Sequence, residues 1–196
     1  KGKAFFRNDN FLRKKSYFCT LLKHYSTTQR LQSVFFFTSA LVLAVLFFLP
    51  FASFYGDFHT FDLFGHGITS PENWEKDTSP FTMTFSLPIM ILTITAMALG
   101  GYLAMALFRA VKMSQFQRLL KIARIDVIIN VVCIAAYLGY SYVIIPKMAQ
   151  SVDPTILSPT FGVGVACPLL ALLLTIGATS GLKKDIKRVR SMDRIR

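Results

Sequence analysis

Four long apolar runs alternate with polar and basic segments along this chain. They cover residues 32–54, 82–108, 127–145 and 162–182, and no Asp, Glu, Lys, Arg or His interrupts any of them. About 20 apolar residues are needed for a helix to cross a hydrocarbon core. Backbone amides in lipid must be paired within the segment, so each run predicts a membrane-spanning helix. A β-barrel would instead show alternating polarity in runs of about 10 residues. A signal peptide fits poorly, because the first run exceeds an apolar region of about 7–15 residues. The pattern therefore predicts an all-α integral membrane protein, a four-helix bundle.

Composition agrees: 53% of the 196 residues are hydrophobic and only 16% are charged, against about 25% charged in soluble domains. The basic excess, 22 Lys and Arg against 10 Asp and Glu, is unevenly placed. Eight basic residues lie in 1–31, five between the second and third runs, and seven from Lys183 onward. Each of the other two connections has a single one, Lys76 and Lys147. An even number of spans puts the three basic segments on one side, and the positive-inside rule makes that side the cytoplasm. Asp57, Asp62, Glu72, Glu75, Asp77 and Asp153 then fall outside. Three regions follow: a basic aromatic N-terminal segment (1–31), a four-span domain (32–182) and a basic cytoplasmic tail (183–196). The location expected is a bacterial inner membrane, with both termini inside.

The connections carry further expectations. The N-terminal segment pairs aromatics with basic residues, which suits anionic headgroups at about 1 kcal/mol per basic residue. This lipid surface disfavours nucleic acid as a partner. Between the second and third runs, Ser114 and Gln117 have capping-box spacing. Phe116, Leu119, Leu120, Ala123 and Val127 repeat at helical intervals, so one helix is expected from about 115 to 145. Asp126 lies where that helix meets the membrane and is expected to be solvated, pairing with Arg118, Lys121 or Arg124. The first outer loop, 55–81, is compatible with a short hairpin or an interfacial lid.

Chemistry is sparse. Cys19, Cys133 and Cys167 form no Cys-x-x-Cys pair, which leaves a thiol–disulfide relay unsupported. His24, His59 and His66 all lie outside the spans, so no axial haem ligand is offered. His59 and His66, with nearby acids, match no defined zinc spacing. No cofactor, metal or catalytic set is expected. Tyr137, Tyr140 and Tyr142 fall toward the outer end of their span, a position suited to interfacial rings. Asn130 is the costliest side chain within a span and should face other helices as hydrogen-bonding glue. Gly100-x-x-x-Ala104 and Gly177-x-x-x-Gly181 offer close helix packing. Pro88 and Pro168 are expected to kink their helices.

Three separated motifs carry a family resemblance. Gln29-Arg30-Leu31-Gln32 leads into a span closing with Leu49-Pro50-Phe51-Ala52, and QFQRLLKIARIDVIINVV leads into the third. GLKKDIKRVRSMDRIR ends the chain. Together they resemble an uncharacterised bacterial four-span inner-membrane family, a domain of unknown function, across residues 29–196. Members usually start near residue 28, so the preceding residues lie outside the resemblance. It implies the same four-span fold and brings no activity or catalytic residues.

The reading that follows is a non-enzymatic accessory subunit or scaffold of a larger membrane complex. It docks a protein partner through Arg118, Lys121, Arg124, Asp185, Arg190, Asp193 and Arg194. The competing reading is a quinone- or lipid-binding protein or a small transporter. The topology is testable directly. Reporter fusions after Lys76 and Lys147 are expected to report the outside, and those after Lys121 and Arg196 the cytoplasm. A cytoplasmic signal at Lys76 would overturn this orientation.

Overall fold

The computed structural model describes residues 31–56, 60–69, 75–110, 113–150 and 158–193. Helix α1 runs Leu31–Val45. Strands β1 (Ala52–Tyr55), β2 (Thr60–Phe64) and β3 (Gly67–Thr69) follow, then α2 (Glu75–Arg109) and α3 (Met113–Gly139). A π-helical turn, Tyr140–Ile144, joins α3 to α4 (Ile145–Gln150). Strand β4 (Thr160–Phe161) and a single 3-10 turn lead into α5 (Ala166–Asp193). Three helical stretches are long and apolar enough to cross a membrane: Ser86–Arg109, Gln115–Lys147 and Val163–Arg188. The described part of helix α1 is apolar but shorter. Large apolar side chains stand exposed around the outside, among them Ile91, Ile94, Met105, Ile128, Val131, Leu170 and Leu173. A belt this extensive far exceeds what soluble proteins expose and suits acyl chains.

Inside that belt the buried positions alternate in steps of three and four. On α1 they include Gln32, Phe36, Ser39 and Leu43, with Ser33 beside Gln32; on α3 they include Phe116, Leu119, Ala123, Asp126, Asn130, Cys133 and Tyr137. Helix α2 repeats the pattern through Ile89, Thr93, Ala96, Gly100, Leu103 and Leu107. Helix α5 does so through Ala171, Thr175, Ala178, Leu182 and Asp185. A mean step of 3.5 residues is the spacing of knobs-into-holes packing between slightly inclined helices. Helix α1 is tied on both sides. Ser33 Oγ donates to the Ala104 carbonyl at 2.5 Å, and Ser39 Oγ to the Ala171 carbonyl at 3.2 Å.

The first apolar run departs from expectation. It is helical only to Val45; residues 52–54 belong to β1. Pro50 supplies the reason: it lacks an N–H and biases Leu49 away from helical geometry. The backbone beyond α1 is paired by a four-stranded antiparallel sheet, ordered β3-β2-β1-β4. Phe51 N–H donates to the Leu63 carbonyl at 2.7 Å, and Gly65 N–H to the Leu46 carbonyl at 2.7 Å. Gly162 N–H donates to Phe51 O at 3.1 Å and Gly164 N–H to Pro50 O at 3.2 Å. Of the two forms open for the 55–81 loop, its described part takes the hairpin, with β2 and β3 joined through Gly65 and His66. Phe51, Phe54, Phe61 and Leu63 point inward and form one core with Leu43, Ile89 and Tyr137.

One proline expectation also changes. Pro168 sits in the first turn of α5, where a missing N–H costs nothing, so it is not a kink. The local distortion lies instead at the π turn just before Pro146. Pro146 cannot donate to the Tyr142 carbonyl and its ring crowds that oxygen; a wider turn relieves both.

Glycine replacement tests this packing. Gly67 has φ +130°, and a Cβ there would meet Ser86 Cβ at 2.2 Å. Gly67→Ala is expected to destabilise by about 1–3 kcal/mol from backbone strain alone, read as thermal unfolding in detergent. Gly177 has open space where its Cβ would be. Gly177→Ala should leave stability unchanged or raise it by up to about 1 kcal/mol.

Candidate functional site

Lipid reverses the usual sorting of side chains: polar groups face inward and apolar groups outward. The buried polar residues are therefore the natural candidates for a site. Thr93 and Tyr137 set the register of α2 against α3. Thr93 Oγ1 donates to the Ile89 carbonyl at 2.7 Å, so the Tyr137 hydroxyl donates to Thr93, 3.0 Å away. Tyr137 is fully buried with its ring 4.8 Å from Phe51. It is thus a core residue, not the interfacial ring its sequence position suggests. Tyr140 is also buried, whereas Tyr142 is exposed beside Phe161.

Ala104 and Asp126 each lie eleven residues from the Thr93–Tyr137 pair on antiparallel helices, which puts them at one level. Ser33 bonds the Ala104 carbonyl, and its neighbour Gln32 donates through Nε2 to Asp185 Oδ2 at 2.5 Å. Gln32, Ser33, Asp126, Asn130 and Asp185 consequently form a buried polar layer in the half of the helical body nearer its basic end. Three oxygens in it have no hydrogen-bond partner among the described residues: Gln32 Oε1, Asp126 Oδ2 and Asn130 Oδ1. Their chemistry is fixed by the partners of their sister atoms. A carboxylate or carbonyl only accepts, so the nitrogens of Gln32 and Asn130 must face Asp185 and Asp126, leaving the two amide oxygens bare.

Asp126 corrects an expectation. It is 0% exposed and makes no ion pair with Arg118, Lys121 or Arg124, all of which are exposed. The heptad spacing explains this: position 126 continues the inward seam from Leu119 and Ala123, while 118, 121 and 124 lie on other faces. Asn130 faces inward as expected, but its amide bonds its own helix. Nδ2 donates to the Asp126 carbonyl at 2.9 Å and to Asp126 Oδ1 at 3.3 Å. It is therefore a local brace for Asp126, not a tie between helices.

Of the small residues, Gly100, Ala104 and Gly181 are at contacts. A Cβ at Gly100 would lie 3.4 Å from Phe36 O, and one at Gly181 would lie 3.1 Å from Gln32 Nε2. Ala104 is buried and receives Ser33. Gly177 faces outward, so the Gly177–Gly181 spacing does not act as a pair within the described chain. The tail continues α5 to Asp193, and its first acid is structural: Asp185 is buried, holds Gln32 and lies 3.8 Å from Arg188. Asp185 is therefore withdrawn from the docking set. Arg190 is exposed, Asp193 ends the helix and Arg194 lies outside the described residues.

Cys133 is buried and Cys167 half-buried; both are free. His66 lies against Phe64 and Phe47, with ring centroids 5.2 and 6.3 Å away. His24, His59 and Cys19 lie outside the described residues. No metal-holding group of three or more His, Cys, Asp or Glu occurs among the described residues.

The bare carboxylate oxygen yields a stability prediction. Replacing a buried unsatisfied polar group by an apolar one of similar volume is neutral or stabilising. Asp126→Leu leaves the Asn130 amide its backbone acceptor and is expected to hold or raise the melting temperature in detergent. A loss beyond about 1 kcal/mol would mean that the carboxylate stabilises the fold.

No curated protein matches the chain. A family model described as Domain of unknown function (DUF4293) matches residues 28–195, a span that takes in every described helix, the small sheet and the polar layer. The chain is a member of that family.

Proposed function

We propose that this protein is a non-enzymatic integral membrane component, a four-helix bundle with both termini in the cytoplasm, that docks a partner subunit of an inner-membrane complex. One observation carries the reading: Arg118, Lys121 and Arg124 stand exposed on α3, and no carboxylate lies within ion-pair distance of them among the described residues. A row of unpaired cations on a rigid helix is a surface for an acidic partner. The inward side chains support the same reading, since Ser33, Ser39, Gln32, Thr93 and Tyr137 join helices to one another. Arg190 extends the basic surface on α5. A scaffold needs such a rigid, internally tied body with its charge outside.

A second reading, binding or transport of a small solute, draws on the bare oxygens of Asp126 and Asn130. Buried acids in membrane helices commonly mark ion or proton paths. A stable Asp126→Leu protein that loses function while retaining its partner would favour it.

The docking reading is tested with the double variant Lys121→Glu/Arg124→Glu, which touches no buried residue. Expression and melting temperature are expected to stay within experimental scatter. Recovery of a stoichiometric partner on affinity purification in mild detergent should fall by tenfold or more, on the order expected for reversing two interfacial charges. Undiminished recovery of the partner would defeat the proposal.

A further inference from the structure

A groove of about 450 Å³ opens between the last turns of α2 and the first turns of α3. Tyr102, Met105 and Ala106 form one wall, Leu119 and Ile122 the other, and Arg109 and Arg118 also line it. Arg109 ends the apolar stretch Ser86–Arg109, so the groove lies where an acyl layer gives way to headgroups. Its apolar wall is continuous with surface that faces lipid, since Tyr102, Met105 and Phe108 are each more than half exposed.

The charge lining the groove has one sign. Among the described residues it contains two guanidinium groups and no carboxylate. Asp126, the only acid on the described part of α3, is fully buried. Neither Arg109 nor Arg118 has an ion-pair partner among the described residues. An occupant must therefore bring an anion able to accept from two planar forks, together with an apolar body for Tyr102, Met105 and Ile122. Phosphate oxygens match guanidinium geometry, and basic pockets between membrane helices take anionic headgroups. A soluble phosphate leaves the apolar wall unused, and a zwitterionic lipid brings a cation to a cationic site.

We propose that this groove is a binding site for one anionic glycerophospholipid, with its phosphate held by Arg109 and Arg118 and its first methylenes lying along Tyr102, Met105 and Ile122. The site borders the docking face and shares Arg118 with it, whereas Lys121 and Arg124 do not line it. The lipid is a tightly held component of the protein, wedged at the α2–α3 corner.

The test is native mass spectrometry of the full chain released from nanodiscs. The discs contain equal phosphatidylglycerol and phosphatidylcholine with identical acyl chains. The wild type is expected to retain one phosphatidylglycerol, enriched on the order of tenfold over phosphatidylcholine. Arg109→Gln/Arg118→Gln should reduce retention to the bulk ratio, whereas Lys121→Gln/Arg124→Gln should keep the enrichment. Met105→Trp, at a site that is 60% exposed, fills the apolar wall without altering charge and should also abolish retention. It decides the matter should the arginine variant fail to fold. Two results would overturn the site: equal enrichment in the wild type and in the Arg109/Arg118 or Met105 variants, or equal losses from the two charge-neutralised pairs. The measurement uses no protein partner, so its outcome is independent of the docking experiment.

Discussion

Helix α1 stops at Val45, while the first apolar run continues to Phe54. Beyond Val45 the chain remains apolar but is no longer helical, and every backbone N–H and C=O there needs a partner away from water. The small sheet answers that constraint. Leu46 and Pro50 carbonyls accept from Gly65 and Gly164, and Phe51 exchanges bonds with Leu63 and Gly162. These contacts draw together the segment after α1, the hairpin and the approach to α5. Glycine is required where the backbones come closest: a Cβ at Gly164 would lie 2.4 Å from Pro50 O.

The same requirement governs the helical body through its side chains. Apolar surface gives little drive for association in lipid, so close packing and polar ties hold the helices together. Helix α1 shows both devices on its two flanks. Ser33 reaches the α2 backbone near Gly100 and Ala104; Ser39 and Gln32 reach α5 near Ala171, Gly181 and Asp185. Gln32 and Asp185 stand 153 residues apart in the chain, so the tail is anchored by an inward acid while Lys183, Lys184, Lys187, Arg188 and Arg190 remain exposed. Asp126 and Asn130 share this level but bond only each other and their own helix, which distinguishes them from the tying residues. Their bare oxygens make that pair the least accounted for in stability terms and the best candidate for a role beyond it.

Much of this was readable from the residues. Long uncharged runs set three membrane-length helices, because few other structures satisfy a backbone in lipid. The helical stretch from Gln115 to Ile145, which includes the π turn Tyr140–Ile144, was signalled by the apolar spacing, although α3 begins at Met113, one residue ahead of the expected cap Ser114. The inward seam was harder to read. When both faces of a helix are apolar, hydropathy has no period to reveal, and the marker is instead the placement of Ser, Thr, Gly, Ala and amide residues. Those residues fall on the seam at Ser33, Ser39, Thr93, Gly100, Asn130 and Thr175, although outward Gly177 and Thr95 show that type alone is insufficient.

The sequence by itself determined which segments enter the apolar phase, the distribution of charge between the connecting segments and membership in the family. Each of these depends on composition summed over a run, which no tertiary contact can alter. Tertiary structure alone decided that the first run would finish as a strand, that Tyr137 would be core and that Asp126 and Asp185 would be buried. These outcomes depend on which carbonyl or side chain another part of the chain brings within bonding distance. Phe51 pairs with Leu63 and Gly162, and Gln32 with Asp185. Such partners are remote in sequence, and their positions follow from helix register that local pattern does not encode.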